Sequence, residues 1–124
     1  TEFVLVDSIK KKLGVSKQIA TETGLQNIIT RHSRAEDIKD RKFDVITSRA
    51  VAPLKDLWQW SKPLLNKNKN SETRIPNGLI CLKGGDLNIE IQESGCKPYI
   101  WDINTFFRED YFQLKYILYQ PALK

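Results

Sequence analysis

Apolar residues along the chain follow two alternating patterns, one typical of strands and one typical of helices. Six short runs rich in β-branched, aliphatic and aromatic residues predict strands, over Glu2–Ser8, Asn27–His32, Phe43–Ser48, Gly78–Lys83, Tyr99–Ile103 and Tyr111–Tyr119. Apolar residues at helical spacing predict three helices between them, over Ser8–Thr23, Pro53–Leu65 and Asp86–Glu93. We expect the strands that begin at Glu2 and Gly78 to be buried. Strands that alternate with helices are typical of an α/β fold with a mainly parallel sheet.

Residues that begin and end helices are placed where this pattern changes. Ser8 is expected to be the N-cap of the first helix, and Gly24 is expected to end it. Pro53 suits the first turn of the second helix, and Pro63 is expected to bend its last turn. Asp86 is expected to cap the third helix.

The last two predicted strands are separated only by Asn104–Asp110. A parallel crossover needs about a dozen residues or more, usually with a helix, so these strands should form an antiparallel hairpin. A parallel sheet that ends in one reversed hairpin is typical of Rossmann-like methyltransferases, whereas nicotinamide-binding sheets usually stay parallel.

The length of the chain limits what it can contain. With 124 residues and no methionine, a chain of 14.4 kDa is one domain at most and is small for a complete doubly wound sheet. The polar, lysine-rich residues 66–77 predict a flexible surface loop within that domain rather than a domain boundary. A chain that starts at Thr1 with a strand, and without a preceding strand and glycine-rich loop, is expected to be a fragment.

Charge and cysteine content indicate which classes of partner and which cell compartment to expect. Twenty basic and 15 acidic residues give a net charge of +5, which favours an anionic partner, with nucleic acid first; solubility alone is the alternative explanation. No apolar run approaches the length of a membrane helix, so we expect no membrane partner. Cys81 and Cys96, without a second pair, indicate neither a disulfide framework nor a zinc site, and they favour a reducing cytoplasm.

Four motifs occur in a characteristic order and spacing. They are Leu5-Val6-Asp7-Ser8, Ser33-Arg34-Ala35-Glu36, the segment Phe43–Leu54 with its Ser-Arg-Ala sequence, and Leu82-Lys83-Gly84-Gly85. Together they resemble the family of ribosomal RNA small-subunit methyltransferase G, also called glucose-inhibited division protein B. The resemblance implies a class I S-adenosylmethionine-dependent methyltransferase sheet. It also implies methyl transfer from S-adenosylmethionine to N7 of a guanine, with small-subunit ribosomal RNA or a ribosomal particle as the partner.

The chain departs from this family at its start. Family members begin with a helical segment, a first sheet strand and an Asp-x-Gly-x-Gly-type loop for the methionine part of the cofactor. We therefore expect residues 1–124 to be a partial methyltransferase domain whose central strand is missing between the strands that end at Asp7 and Ser48. Those two strands would pair directly, or a strand-sharing homo-oligomer would fill the gap, or the chain would be part of a larger polypeptide. We expect the isolated chain to bind S-adenosylmethionine weakly or not at all, and to be inactive.

Five residues at the ends of predicted strands are candidates for contacts with the cofactor or the substrate. Asp7, at the end of the first strand, would accept the ribose hydroxyls; the alternative is a strand-end carboxylate that caps the next helix. Ala35 and Glu36 would line the adenine pocket, or alternatively form a helix N-terminus. Arg49 would hold a phosphate, the guanine O6 or the cofactor carboxylate, unless Asp7 or Glu36 pairs with it. Lys83 would contact a backbone phosphate, with a solvated lysine before a tight turn as the alternative.

The implied reaction needs no metal and no general base. Guanine N7 carries a lone pair and no proton, so positioning and exclusion of water provide most of the catalysis. His32 is therefore interpreted as a packing residue at a strand end. Two other classes stay open, which are a non-catalytic RNA-binding fragment and a piece of a nicotinamide-dependent oxidoreductase.

Overall fold

The computed structural model describes residues 1–49, 52–67 and 76–122, which form two compact units, Thr1–Asp40 and Arg41–Lys124. The first unit contains β1 (Phe3–Asp7), α1 (Lys10–Glu22) and β2 (Ile28–His32). The described part of the second contains β3 (Val45–Arg49), α2 (Leu54–Ser61), β4 (Gly78–Gly84), α3 (Asn88–Ser94), β5 (Tyr99–Asp102) and β6 (Lys115–Pro121). Short 3-10 turns lie at Ala35–Asp37, Lys62–Leu64, Ile103–Thr105 and Asp110–Phe112. All the predicted strands and helices are therefore present.

The first unit is a β-α-β unit. β1 and β2 form a parallel two-stranded sheet in which Phe3 pairs with Ile28 and Asp7 with His32. α1 connects them, and its buried residues are Leu13 and Ala20. The ladder places the carboxyl ends of both strands side by side.

The ends of α1 agree with the prediction at one terminus only. Gly24 ends the helix with a φ of 72°, a left-handed conformation that glycine adopts without steric cost, as expected. The prediction of Ser8 as the N-cap is wrong, because the N-cap is Ile9 and has no side-chain cap. Instead the Asp7 carboxylate accepts the backbone N–H of Ile9 at 2.8 Å.

Strand β1 is less buried than its apolar sequence predicts. The Phe3 side chain is 51% exposed, and Val4, Leu5 and Val6 are half-buried. The two-stranded sheet of the first unit gives β1 one neighbouring strand and one helix to cover it. The prediction of a buried strand is therefore wrong for β1, whereas Gly78, Leu79 and Cys81 of β4 are buried as expected.

The second unit contains a four-stranded mixed sheet of order β3-β4-β6-β5. β3 runs parallel to β4, whereas β6 is antiparallel to both β4 and β5, which confirms the reversed terminal hairpin. β6 begins at Lys115 rather than at Tyr111, because Asp110–Phe112 form a 3-10 turn and Leu114 has a φ of 56°.

One apolar cluster holds the second unit together. It joins α2, β4, β6 and the connection between α3 and β5, through the buried side chains Leu54, Leu57, Leu79, Cys81, Cys96 and Leu118. Trp58 and Trp60 of α2 pack against it. Removing this apolar surface from water is the main stabilising contribution to the unit.

The two units contain separate sheets. The strand that ends at Asp7 lies in the sheet of the first unit, and the strand that ends at Arg49 lies in the sheet of the second. Direct pairing of the two strands stays a prediction. Of the predicted loop 66–77, residues 68–75 lie outside the described residues. No helix in the described ranges has the length and apolar character that a bilayer crossing requires.

Candidate functional site

Asp7 lies at the carboxyl end of β1, where parallel sheets bind ligands. Its side chain is half-buried, and Oδ1 accepts the N–H of Ile9 at 2.8 Å. The capping role considered from the sequence is therefore present. A carboxylate offers about four acceptor positions, so this hydrogen bond is compatible with acceptance of ribose hydroxyls as well.

Ala35 and Glu36 lie in the turn Ala35–Asp37 directly after β2. The chain enters this turn next to Asp7, because the backbone N–H of Ser33 donates to the Asp7 carbonyl at 3.0 Å. Ala35 is half-buried, and the Glu36 side chain is 40% exposed and lies 3.9 Å from Arg34. The structure thus brings the chain segment that carries Ala35 and Glu36 to the same edge of the two-stranded sheet as Asp7.

His32 connects the two strand ends of this unit. Its Nε2 lies 3.0 Å from the Ser8 carbonyl oxygen, and the residue is exposed. His32 is therefore a structural link between the end of β2 and the residue after β1, rather than a packed apolar contact.

Arg49 is the last residue of β3, and its side chain is exposed. Its Cα pairs with that of Leu82 on β4. Within the described residues of the second unit no hydrogen bond or ion pair engages its guanidinium, and an ion pair with Asp7 or Glu36 stays a prediction. Ala50 and Val51 of the same motif lie outside the described residues.

Lys83 occupies the equivalent region of β4 but has a different environment. Its side chain is 9% exposed. Nζ donates to the Ala52 carbonyl oxygen and lies 3.4 Å from Glu90 Oε1. The alternative of a solvated lysine is therefore wrong, and the predicted phosphate contact would require Lys83 to exchange these partners.

The following glycines form the predicted tight turn. Gly85 has a φ of 81°, and its N–H donates to the Leu114 carbonyl at 2.9 Å. A Cβ on Gly84 would lie 3.3 Å from Lys115 Nζ, the mobile end of a long side chain that can move aside.

Cys81 lies two residues before Lys83 on β4, and burial raises the pKa of its thiol to about 11, against an opposing effect of the Lys83 charge. The thiol is thus held protonated and packs as an apolar group. Across residues 1–49, 52–67 and 76–122, no three His, Cys, Asp or Glu side chains are grouped as metal ligands would be.

Sequence reasoning missed Glu90, the partner of Lys83. Glu90 lies in α3, and the signal for it is weak, because one acid in a short polar helix is usually solvated. Here the Glu90 side chain is 26% exposed, and its Oε2 atom is buried with no hydrogen-bond partner among the described residues.

Comparisons with known proteins agree with the resemblance. The family described as rRNA small subunit methyltransferase G matches residues 1–100. Proteins named ribosomal RNA small subunit methyltransferase G from Cytophaga hutchinsonii, Phocaeicola vulgatus and Bacteroides fragilis are 39%, 46% and 43% identical over 122, 120 and 121 residues. These matches cover 98%, 95% and 96% of this chain but 58%, 55% and 56% of the relatives. The chain therefore spans little more than half the length of these relatives.

A solved structure shares the fold. The crystal structure of an rRNA methylase from Streptococcus thermophilus superimposes with a TM-score of 0.66 at 10% identity, over 99% of this chain and 74% of that chain. At this identity the likeness shows the fold alone, an α/β architecture consistent with a class I methyltransferase. The reversed hairpin also argues against the nicotinamide-dependent oxidoreductase. On the strength of the family match over residues 1–100, the chain belongs to the rRNA small subunit methyltransferase G family.

Proposed function

We propose that this chain is part of an enzyme that methylates N7 of a guanine in small-subunit ribosomal RNA, with S-adenosylmethionine as the methyl donor. The observation that carries the proposal is the shared strand edge of the first unit. There Asp7 ends β1, and the turn Ala35–Asp37 follows the paired end of β2. In open α/β sheets, this edge is where nucleotide-like ligands bind.

The residues at this edge fit the adenosyl part of the cofactor. Asp7 supplies a carboxylate for the ribose hydroxyls, and the half-buried Ala35 is small enough to lie beside a purine. Glu36 and the backbone of the turn would provide polar contacts to the ring edge. When bound, the cofactor supplies a methyl group on a positively charged sulfur. That sulfur is a good leaving group because it departs as a neutral thioether.

The chain's own contribution to the reaction is positioning. Guanine N7 has no proton to lose, so none of the described side chains needs to act as a general base, and orientation with exclusion of water provides most of the rate gain. Arg49, exposed at the end of β3, would hold an RNA phosphate, the guanine O6 or the cofactor carboxylate. A cation against the guanine ring would oppose the reaction, because the ring becomes positive as the methyl group transfers.

The proposal also includes the central strand and the glycine-rich loop that the family resemblance implies. Among the described residues, β1 pairs only with β2. The only strand that pairs with β3 there is β4, which runs parallel to it. We infer that the missing strand and the glycine-rich loop come from the part of the relatives that this chain does not match. A strand-sharing homo-oligomer is the alternative. Light scattering on the chain of 124 residues separates them, because a monomer mass contradicts strand sharing and a multiple of it supports strand sharing.

The partner and its location follow from the same chemistry. A net charge of +5 suits association with RNA through its phosphates. Small-subunit ribosomal RNA, free or within a ribosomal particle, is the proposed partner, and a cytoplasmic location is proposed with it.

The test is a methyl-transfer assay on the longest polypeptide that includes this sequence. Labelled S-adenosylmethionine is incubated with small-subunit ribosomal RNA and, separately, with small ribosomal subunits. We expect label in 7-methylguanosine, identified by mass spectrometry of the digested RNA. RNA binding without transfer would support the non-catalytic RNA-binding alternative, and neither binding nor transfer would contradict both.

A further inference from the structure

We propose that Lys83 is a positioning residue, which anchors the backbone after Arg49 through the Ala52 carbonyl and is neutralised there by Glu90. The inference rests on the proposed function, because it concerns the strand ends at which RNA would bind. It assigns Lys83 a different role from the phosphate contact predicted from the sequence.

The contacts of Lys83 point inward. Its ammonium donates to the Ala52 carbonyl oxygen and lies 3.4 Å from Glu90 Oε1, and 9% of its side chain is exposed. A buried ammonium is costly unless it is paired and hydrogen-bonded. Glu90 supplies the charge and Ala52 the second acceptor, so the arrangement compensates the cation without a ligand.

These contacts join three parts of the second unit. Lys83 lies on β4, Glu90 lies on α3, and Ala52 immediately precedes Pro53, the N-cap of α2. The Pro53 carbonyl accepts the N–H groups of Asp56 and Leu57, each at 3.0 Å. Lys83 therefore fixes the backbone at the point where α2 begins.

The same anchor acts on Arg49. The β3–β4 ladder holds Arg49 opposite Leu82, and Lys83 is the next residue of β4. The ladder thus fixes the backbone at Arg49, and the ammonium fixes it three residues later at Ala52. Arg49 and Ala52 are therefore both held to β4.

Arg49 and Lys83 differ in the exposure of their side chains, and this difference indicates different roles. Arg49 is exposed and makes no ion pair within the described residues of the second unit, whereas Lys83 is enclosed and has two acceptors. A phosphate contact by Lys83 would require the ammonium to leave both. Arg49 can bind an anion without giving up such contacts.

The first test measures how ribosomal RNA affinity depends on salt in the longest polypeptide that includes this sequence. Each phosphate contact contributes about 0.7 to 0.9 to the slope of log affinity against log salt. We expect Lys83→Met, made in an Arg49→Gln background so that Arg49 cannot contribute, to leave this slope as it is in Arg49→Gln alone. With Arg49 present, Lys83→Met should lower kcat about tenfold or more, since misplaced groups lower the rate. A slope reduced by about one contact would overturn the proposal.

Glu90→Gln gives a second test by the same measurement, the dependence of RNA affinity on salt. If Lys83 contacted phosphate, removing the competing carboxylate would strengthen RNA binding and steepen the salt dependence. We expect neither change. Lys55→Met is the matched control, because Lys55 is an exposed lysine of α2, and it should leave kcat unchanged.

A third test does not depend on activity. Hydrogen exchange of the Asp56 and Leu57 amides should become faster in Lys83→Met, while the amides of β5 and β6 keep their protection. Because Lys83→Met leaves Glu90 without its partner, the double variant Lys83→Met/Glu90→Leu is measured alongside it; removing both charges avoids an uncompensated one. Unchanged exchange at the start of α2 in both variants would overturn the anchoring role. A wild-type protein that fails to methylate RNA would instead contradict the proposed function, and the exchange result would still decide the role of Lys83.

Discussion

The Asp7 carboxylate accepts the backbone N–H of Ile9 at 2.8 Å, so the residue proposed to bind ribose also caps the turn that leads into α1. The hydrogen bond satisfies an amide next to the first turn of the helix. It also restricts the rotamer of the carboxylate at the strand edge. A structural and a ligand-binding role are thus combined in one side chain.

This double role predicts different stabilities for two Asp7 variants. Asp7→Asn keeps an oxygen that accepts the Ile9 N–H and should unfold close to the wild type. Asp7→Ala removes the acceptor and should lower the free energy of unfolding by about 1 kcal/mol. Urea titrations followed by circular dichroism measure both, and equal loss in the two variants would show that the hydrogen bond is not what matters.

Arg49→Gln should leave stability unchanged, because the side chain is exposed and makes no ion pair in the described residues of the second unit. If Arg49 holds an RNA phosphate, the slope of log affinity against log salt becomes shallower by about 0.7 to 0.9. If it holds the cofactor carboxylate, the affinity for S-adenosylmethionine falls instead. Salt-dependent RNA binding and calorimetry distinguish the two, with Lys55→Met as the control. A loss of RNA affinity at an unchanged slope would indicate the guanine O6, and unchanged affinity for both RNA and S-adenosylmethionine would contradict a binding role.

Gly78 allows β4 and β6 to approach closely. A Cβ at this position would lie 2.4 Å from the Gln120 carbonyl oxygen and 3.0 Å from the Pro121 Cα, and neither backbone atom can rotate away. Gly78→Ala should therefore destabilise the protein by about 1 to 3 kcal/mol, measured by urea unfolding.

Gly14→Ala is the matched control for this variant. Nothing lies within 4 Å of a Cβ at Gly14, which is inside α1, so alanine should stabilise the helix by up to about 1 kcal/mol. A Gly78→Ala protein as stable as Gly14→Ala would contradict the close approach.

The raised pKa of Cys81 predicts a loss of stability in alkaline solution. Burial raises the pKa of the folded thiol from 9.0 to about 11. Above pH 9 the unfolded chain releases a proton that the folded protein retains, so unfolding becomes more favourable as pH rises through this interval. The contribution is complete below about pH 9 and decreases toward pH 11.

Cys81→Val isolates this effect, because it removes the ionisable group and keeps an apolar side chain of similar size. Its free energy of unfolding should fall less than that of the wild type when urea titrations at about pH 8 and about pH 10.5 are compared. Parallel pH dependence in the two proteins would show that Cys81 is not the group responsible.

Local sequence predicted the elements well, and it predicted their environments less well. The short spacer Asn104–Asp110 was enough to predict the antiparallel hairpin, because chain length limits how two strands can connect. The start of β6 at Lys115 was not predictable, since it depends on the positive φ of Leu114. The exposure of β1 was also missed, because an apolar run does not show how many neighbours will cover it.

The candidate site shows the same limit. Parallel strands bring their carboxyl ends together, so the positions of Asp7 and Ala35 followed from the strand order. The pairing of Lys83 with Glu90 depends on how α3 packs beside β4, which the spacing of residues does not encode. Lys83 was therefore expected to be available for phosphate, whereas its ammonium is enclosed.

Calorimetric titration of S-adenosylmethionine into the longest polypeptide that includes this sequence tests the assignment of the β1–β2 edge most directly. Hydrogen bonds to a charged group contribute about 1.5 to 3 kcal/mol. We therefore predict that Asp7→Ala weakens binding about tenfold or more relative to the wild type, while Lys55→Met binds as the wild type does. Equal affinity of the wild type and Asp7→Ala would contradict the placement of adenosine at this edge.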